Sequence, residues 1–271
     1  MPLAVCATPI GNLADITLRV LEELREADVI LCEDTRHTRL LLDRHGISGW
    51  LVSLHEHNEA ERVAELVPRL EAGERMALVS DAGMPGISDP GGGLIRAVLA
   101  AGVALTVLPG PSAVESALVA SGFVAERFTF VGFLPRKASE LEALWSELLS
   151  TPWPVVAFES PRRLAVSLRS LAAALPDRPV AVCRELTKLF EEVVRGPAAE
   201  LASRFAEAPR GEITLVLGPG EPAAAADPLA VAAALEAVAE LVAAGTPRKT
   251  AAEVIARLTA LSRNELYRGS L

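Results

Sequence analysis

The stretch Ser80-Asp81-Ala82-Gly83-Met84-Pro85-Gly86-Ile87-Ser88-Asp89-Pro90-Gly91-Gly92-Gly93 decides the fold, because a buried strand (76–80) runs into it and a helix (93–101) runs out of it. Gly- and Pro-rich loops at strand ends of open α/β sheets are where such sheets bind ligands. Glycine allows close backbone approach, while Ser88 and the two aspartates supply polar atoms. The loop has neither the G-x-G-x-x-G fingerprint nor a Gly-Lys-Ser/Thr ending, which counts against NAD and ATP. A long connection with glycines for turns is the alternative.

Working outward, strands at 3–7, 29–32, 51–54, 76–80 and 104–108 alternate with helical periods at 17–27, 39–45, 59–72 and 93–101. That alternation requires a mostly parallel sheet with helical crossovers. Beyond it come a helix at 111–121, strands at 128–131, 155–158, 180–184, 191–195 and 213–217, and helices at 139–149, 162–174 and 198–206. With no helix between 180–184 and 191–195, the second sheet contains an antiparallel pair and is mixed. Ala/Pro-rich 221–228 reads as a linker to a helical appendix with helices at 229–244, 247–258 and 262–267. The expected division is an α/β domain over 1–111, a mixed α/β domain over 112–220 and an appendix over 228–271.

The 271 residues are 51% hydrophobic and 23% charged, a globular composition with no apolar run near the roughly 20 residues a membrane helix needs. The start of the chain lacks the basic stretch and cleavage site of a secretory signal, so a cytoplasmic protein is expected. Cys6, Cys32 and Cys183 are scattered, in or beside strands, and read as reduced core thiols. A net charge of -9 argues against generic nucleic-acid binding. Yet from residue 245 onward five basic residues face two acidic ones, a local excess that a helix-turn-helix-like pair could offer to RNA or that could merely cap a domain.

Two further loops, Ala7-Thr8-Pro9-Ile10-Gly11-Asn12-Leu13 and Leu108 to Ala117, leave strands at the same sheet edge, so three Gly/Pro loops converge on one crevice. His55 and His57, at i and i+2 without a third ligand, make no metal site, and no metal is expected. Ser112 lacks the second glycine of a nucleophile elbow.

The segments Thr8 to Asn12, Cys32-Glu33-Asp34-Thr35-Arg36, Ser80 to Gly91, Pro109 to Ala113, Phe130 to Pro135 and Phe158-Glu159-Ser160-Pro161-Arg162-Arg163 resemble the signature segments of the tetrapyrrole-methylase superfamily. Their wording is closest to its branch that methylates a cytidine ribose 2′-hydroxyl in small-subunit (16S) ribosomal RNA, near the decoding centre. The resemblance implies the two-domain class III methyltransferase fold, S-adenosyl-L-methionine as cofactor, a homodimer and 16S rRNA within the small ribosomal subunit as partner, with no membrane. It also implies cofactor contacts at Pro9, Gly11, Asp81, Gly83, Met84, Pro85, Ile87, Ser88, Ser116, Ala117 and Phe158, and less directly at Thr214.

A ribose hydroxyl is a weak nucleophile at neutral pH, so an acceptor for its proton is expected, and Asp34 and Glu33, beside His37, are the densest candidates. Capping a helix or pairing with Arg36 and Arg39 is the competing reading for both acids. Arg36, Arg39, Arg136, Arg162, Arg248 and Lys249 are candidate contacts to RNA phosphate, against ordinary solvated charge. The rival functions are methylation of a tetrapyrrole or corrinoid precursor and a non-catalytic ribosome-assembly role.

Overall fold

The computed structural model describes residues 2–220, 228–259, 261 and 263–270. Residues 1–148 and 153–219 form one unit that carries two five-stranded sheets, and residues 149–152 and 220–271 form a second.

The first sheet is built from β1 (Leu3–Cys6), β2 (Val29–Cys32), β3 (Leu51–Ser53), β4 (Met76–Leu78) and β5 (Leu105–Leu108), in the order β3-β2-β4-β1-β5. Every pairing is parallel. β1, β2 and β4 are buried along their whole length, as strands covered by helices on both faces must be. One face packs on α1 (Leu18–Glu26) and α2 (Thr35–Arg44) through Val20, Leu24, Leu41 and Leu42. The other packs on α3 (Glu59–Glu71) and α4 (Gly92–Ala100) through Leu66, Leu70, Leu94 and Val98.

Here one boundary departs from the sequence reading. The helix expected at 39–45 starts four residues earlier, because the Asp34 carboxylate accepts the Arg36 backbone N–H at 2.8 Å and so supplies an N-cap that apolar periodicity does not register.

After α5 (Ala113–Ser121), the second sheet takes β6 (Thr129–Phe133), β7 (Val155–Glu159), β8 (Pro179–Arg184), β9 (Glu192–Pro197) and β10 (Ile213–Leu217) in the order β6-β7-β10-β8-β9. Only β6 and β7 run parallel; β8 and β9 form the expected antiparallel pair. α6 (Ala138–Leu148), α7 (Leu164–Ala174) and α8 (Ala198–Arg204) cover one face around a fully buried Trp145. α5 covers the other, with Ile10 of the first-sheet loop inserted beside it.

In the second unit α9 (Pro228–Ala243), α10 (Arg248–Leu258) and α11 (Arg263–Gly269) close on a small core of Ala234, Val238, Ala251, Ala252 and Leu266. Residues 221–227 of the expected linker, and Ser262, lie outside the described residues. Among the described residues no helix is long and apolar enough to cross a membrane.

Candidate active site

The three Gly/Pro loops do converge. Thr8 and Gly83 exchange backbone hydrogen bonds of 2.9 and 3.1 Å, and the Thr8 hydroxyl donates to the Ser80 carbonyl at 2.9 Å, so the loops after β1 and β4 are zipped together. Gly91 begins α4 in the left-handed region, at φ 110°, with no side chain to cap the helix. Glu59 does so from α3: its Oε1 accepts the N–H groups of Gly91, Gly93 and Leu94 at 3.2, 2.7 and 3.2 Å. The positive end of α4 is thus already filled by a carboxylate, and a ligand phosphate has no place there.

Beneath these loops lies a cavity of about 800 Å³, walled on the first-sheet side by Ile10, Asp81, Gly83, Met84, Ile87, Ser88 and Asp89. Opposite stand Phe128, Phe130, Phe133, Phe158 and Thr214 of the second-sheet half. Phe158 meets Phe130 and Phe133 edge to face, at centroid distances of 5.0 and 5.5 Å. Ser88, a non-glycine residue at φ 62°, stores strain in the wall, which surrounding contacts must hold.

The cavity has an acidic pole. Burial, with Glu33 and Asp81 close by, pushes the Asp89 carboxyl up from 3.8 to about 6. Burial and the acidic neighbours Asp81 and Asp34 raise Glu33, although Glu33 does not line the cavity. The Asp81 Oδ1 is held by the Asp34 backbone N–H at 3.2 Å. Asp34 itself is driven the other way: the Arg36 guanidinium and backbone N–H hold its carboxylate well below the usual range.

Residues 2–202 match the model of the tetrapyrrole (corrin/porphyrin) methylases. The chain belongs to this family. Among its relatives, "Ribosomal RNA small subunit methyltransferase I" of Mesorhizobium japonicum is 44% identical over 98% of this chain and 90% of its own length. The protein of the same name from Thermotoga maritima is 46% identical over 79% of this chain and 97% of its own. Among solved structures, uroporphyrin-III-C-methyltransferase from Thermus thermophilus superposes with a TM-score of 0.58 at 22% identity, covering 80% of this chain and 93% of that one. Diphthine synthase superposes with 0.61 at 18%, covering 80% and 89%. These superpositions establish the methylase fold.

Of the residues that the methylase resemblance points to for the cofactor, Asp81, Gly83, Met84, Ile87, Ser88 and Phe158 line the cavity, as does Thr214. Pro9, Gly11, Pro85, Ser116 and Ala117 do not. Pro9, Pro85 and Ala117 are buried in packing, and in the first turns of α5 it is Ser112 to Glu115 that face the cavity, one helical turn earlier than expected. Gly11 is a point of close approach: a Cβ there would lie 2.5 Å from Lys188 Cγ, 2.7 Å from Thr187 Oγ1 and 2.9 Å from the Leu186 carbonyl. Leu186 lines the cavity, so Gly11→Ala is expected to push the two loops apart, costing about 1–3 kcal/mol as overpacking. Cofactor affinity should fall with it, as calorimetric titration of the folded variant would read.

Asp34 has the geometry of the competing reading. It caps α2 and pairs with Arg36 at 2.6 Å, and a carboxylate held that acidic takes a proton poorly near neutrality. Asp81, Asp89, Glu115, Glu159 and Glu212 all line the cavity, and of these Asp89 is the one whose carboxyl is pushed up. No sequence signal separates it from Asp81, since burial selects it. The partners proposed for phosphate are split. Arg36 is committed to Asp34, Arg39 is exposed on α2, and Arg136 and Arg162 line a second cavity. Arg248 donates to the Ser270 carbonyl at 2.6 Å within the second unit, where Lys249 is exposed. All three cysteines are buried free thiols, Cys6 pushed up to about 12 and Cys183 to about 11 by burial.

Proposed function

We propose that this chain methylates ribosomal RNA of the small subunit from S-adenosyl-L-methionine, at the 2′-hydroxyl of a cytidine ribose near the decoding centre. The observation that carries the reading is end-to-end similarity to relatives named as small-subunit rRNA methyltransferases, 44% identity over 98% of the chain. Support comes from a cavity of the right chemistry. Its size falls within the roughly 300–1,000 Å³ of small-molecule sites, its walls are largely aromatic and aliphatic, and its acidic lining residues, Asp81 and Asp89 among them, suit a sulfonium cation. Gly83 and Gly86, both at positive φ, let the loop backbone come close to a bound nucleoside.

The cofactor supplies an electrophilic methyl; the chain must do the rest. The apolar walls exclude water and fix the approach, which is worth much of the barrier in a transfer whose main demand is alignment. Asp89 would take the proton that the hydroxyl gives up as its oxygen accepts the methyl and the methyl–sulfur bond breaks, and its value near 6 keeps it ionised at pH 7 while leaving it basic enough to help. Burial sets that value first, and the negative charges of Glu33 and Asp81 add to it.

The division into domains 1–111 and 112–220, with 228–271 as appendix, assigns the reaction to the first two. A fifth of this chain has no counterpart in the Thermotoga maritima relative of the same name, and the family model ends at residue 202. Arg248 and Lys249 of the appendix then add RNA affinity rather than chemistry. A homodimer working in the cytoplasm completes the proposal.

Labelled methyl from S-adenosylmethionine, offered to small ribosomal subunits lacking their own modifications, should appear on a single cytidine ribose after nuclease mapping. Label on a base, or no label while cofactor still binds, would refute the ribose assignment or the RNA reading respectively. The second result would point to a small-molecule acceptor, and failure to bind cofactor would leave a scaffold role in ribosome assembly.

A further inference from the structure

A second cavity, of about 650 Å³, opens between the first turn of α6 and one face of α7. Arg136, Arg162 and Arg163 line it, with Ser167 and Ser170 and the small residues Ala173 and Ala174 along the floor. Glu142 is its single acidic lining residue, so the lining is strongly basic on a chain of net charge -9. The three arginines are not equivalent. Arg163 is half-buried and committed: its guanidinium donates to the Leu134 carbonyl at 3.2 Å and to Pro135, and sits 3.4 Å from Glu159. Arg136 and Arg162 are exposed and form no ion pair with any described residue.

The cavity is also joined to the candidate active site by the chain itself. Glu159, Ser160 and Pro161 wall the first cavity, and the next two residues, Arg162 and Arg163, wall the second. Glu159 is buried and tied to the Ser167 hydroxyl and the Ser160 N–H, so this five-residue bridge is anchored at its start. We infer that the second cavity is a phosphodiester subsite, in which Arg136 and Arg162 grip the RNA backbone next to the nucleotide held at the first. The inference rests on the RNA reading above and adds the place and the residues. Two guanidiniums without an ion partner among the described residues, one ahead of α6 and one ahead of α7, match an anionic backbone, since each fork bonds two phosphate oxygens. Contacts of this kind fix register without reading sequence, which is what an enzyme aligning one hydroxyl with one methyl requires.

The test is Arg136→Ala/Arg162→Ala in the full chain, with Arg136→Lys/Arg162→Lys beside it. Two readouts are needed, KM for small ribosomal subunits and the salt dependence of binding to a short single-stranded RNA. The alanine pair should raise KM about tenfold or more and flatten the plot of log K against log salt by about 1.4, roughly 0.7 for each lost single-strand contact. Melting temperature and cofactor affinity serve as folding controls. The lysine pair should keep the slope and lose part of the affinity, because charge survives and the fork does not. If the alanine pair matches the parent in slope and KM while the parent methylates RNA, the subsite is wrong and the function stands. If the parent transfers no methyl to RNA but the slope still falls, the subsite stands and the methylation reading falls. Arginine-dependent binding of polyglutamate that RNA does not compete away would make the cavity a protein contact and overturn the inference.

Discussion

Asp89→Asn should lower the single-turnover rate of methyl transfer by about 10²–10⁴-fold, the usual worth of a positioned proton acceptor. The pH profile identifies the cause. In the parent, the rate should rise with pH through about 6 as the Asp89 carboxyl ionises, and in the asparagine variant that limb should vanish. Asp34→Asn, which retains a good N-cap, should keep the limb in place. A limb that survives Asp89→Asn and disappears with Asp34→Asn would reverse the assignment.

The same substitution should stabilise the fold at neutral pH. The folded carboxyl titrates near 6 against an ordinary 3.8, so the folded state binds its proton more tightly than the unfolded chain does. Stability is then full below about pH 3.8 and is lost as pH rises towards 6. A carboxyl that releases its proton about two pH units later when folded forfeits about 3 kcal/mol on ionising, and the group's partial exposure brings this down to about 1–2 kcal/mol. Urea midpoints of parent and variant should therefore coincide near pH 4 and separate near pH 7.5, the variant being the more stable. Such a trade of stability for function is common where an acid is held unfavourably ionised at a site.

Glu159→Leu should be the most damaging single change to stability, at about 3–5 kcal/mol. The Glu159 side chain is fully buried at the end of β7, accepting from the Ser160 N–H at 2.7 Å and from the Ser167 hydroxyl, with the Arg163 guanidinium 3.4 Å away. Leucine fills much of the volume but leaves the Ser160 N–H and the buried Ser167 hydroxyl without their acceptor and strips the Arg163 guanidinium of its charge partner, and unmet buried donors carry the full desolvation cost. Glu159→Gln keeps an acceptor and should cost less, separating hydrogen bonding from charge. Because Glu159 ties the wall of one cavity to the wall of the other, both variants should loosen cofactor and RNA binding together. A melting temperature within a degree or two of the parent for Glu159→Leu would show that the bridge is held by other contacts.

The amino-acid sequence by itself determined the order of strands and helices, the parallel first sheet, the antiparallel pair in the second and the convergence of three loops. Each follows from a local signal: apolar period, Gly/Pro punctuation, or a missing crossover helix. Resemblance added the family, through short segments whose wording is specific. What tertiary structure alone decided is how the acids within a motif differ in burial and pairing. Asp81 and Asp89 share one loop, and Asp34 and Glu33 are neighbours, so no pattern ranks them as acids. Ranking came from burial and from charges brought together across the fold: Asp89 raised among acids, Asp34 lowered against Arg36. The Glu59 carboxylate on the α4 terminus and the meeting of Arg136 and Arg162 around one cavity are likewise contacts between segments distant in sequence. Such contacts depend on how helices pack on a sheet, and local chain chemistry does not encode them residue by residue.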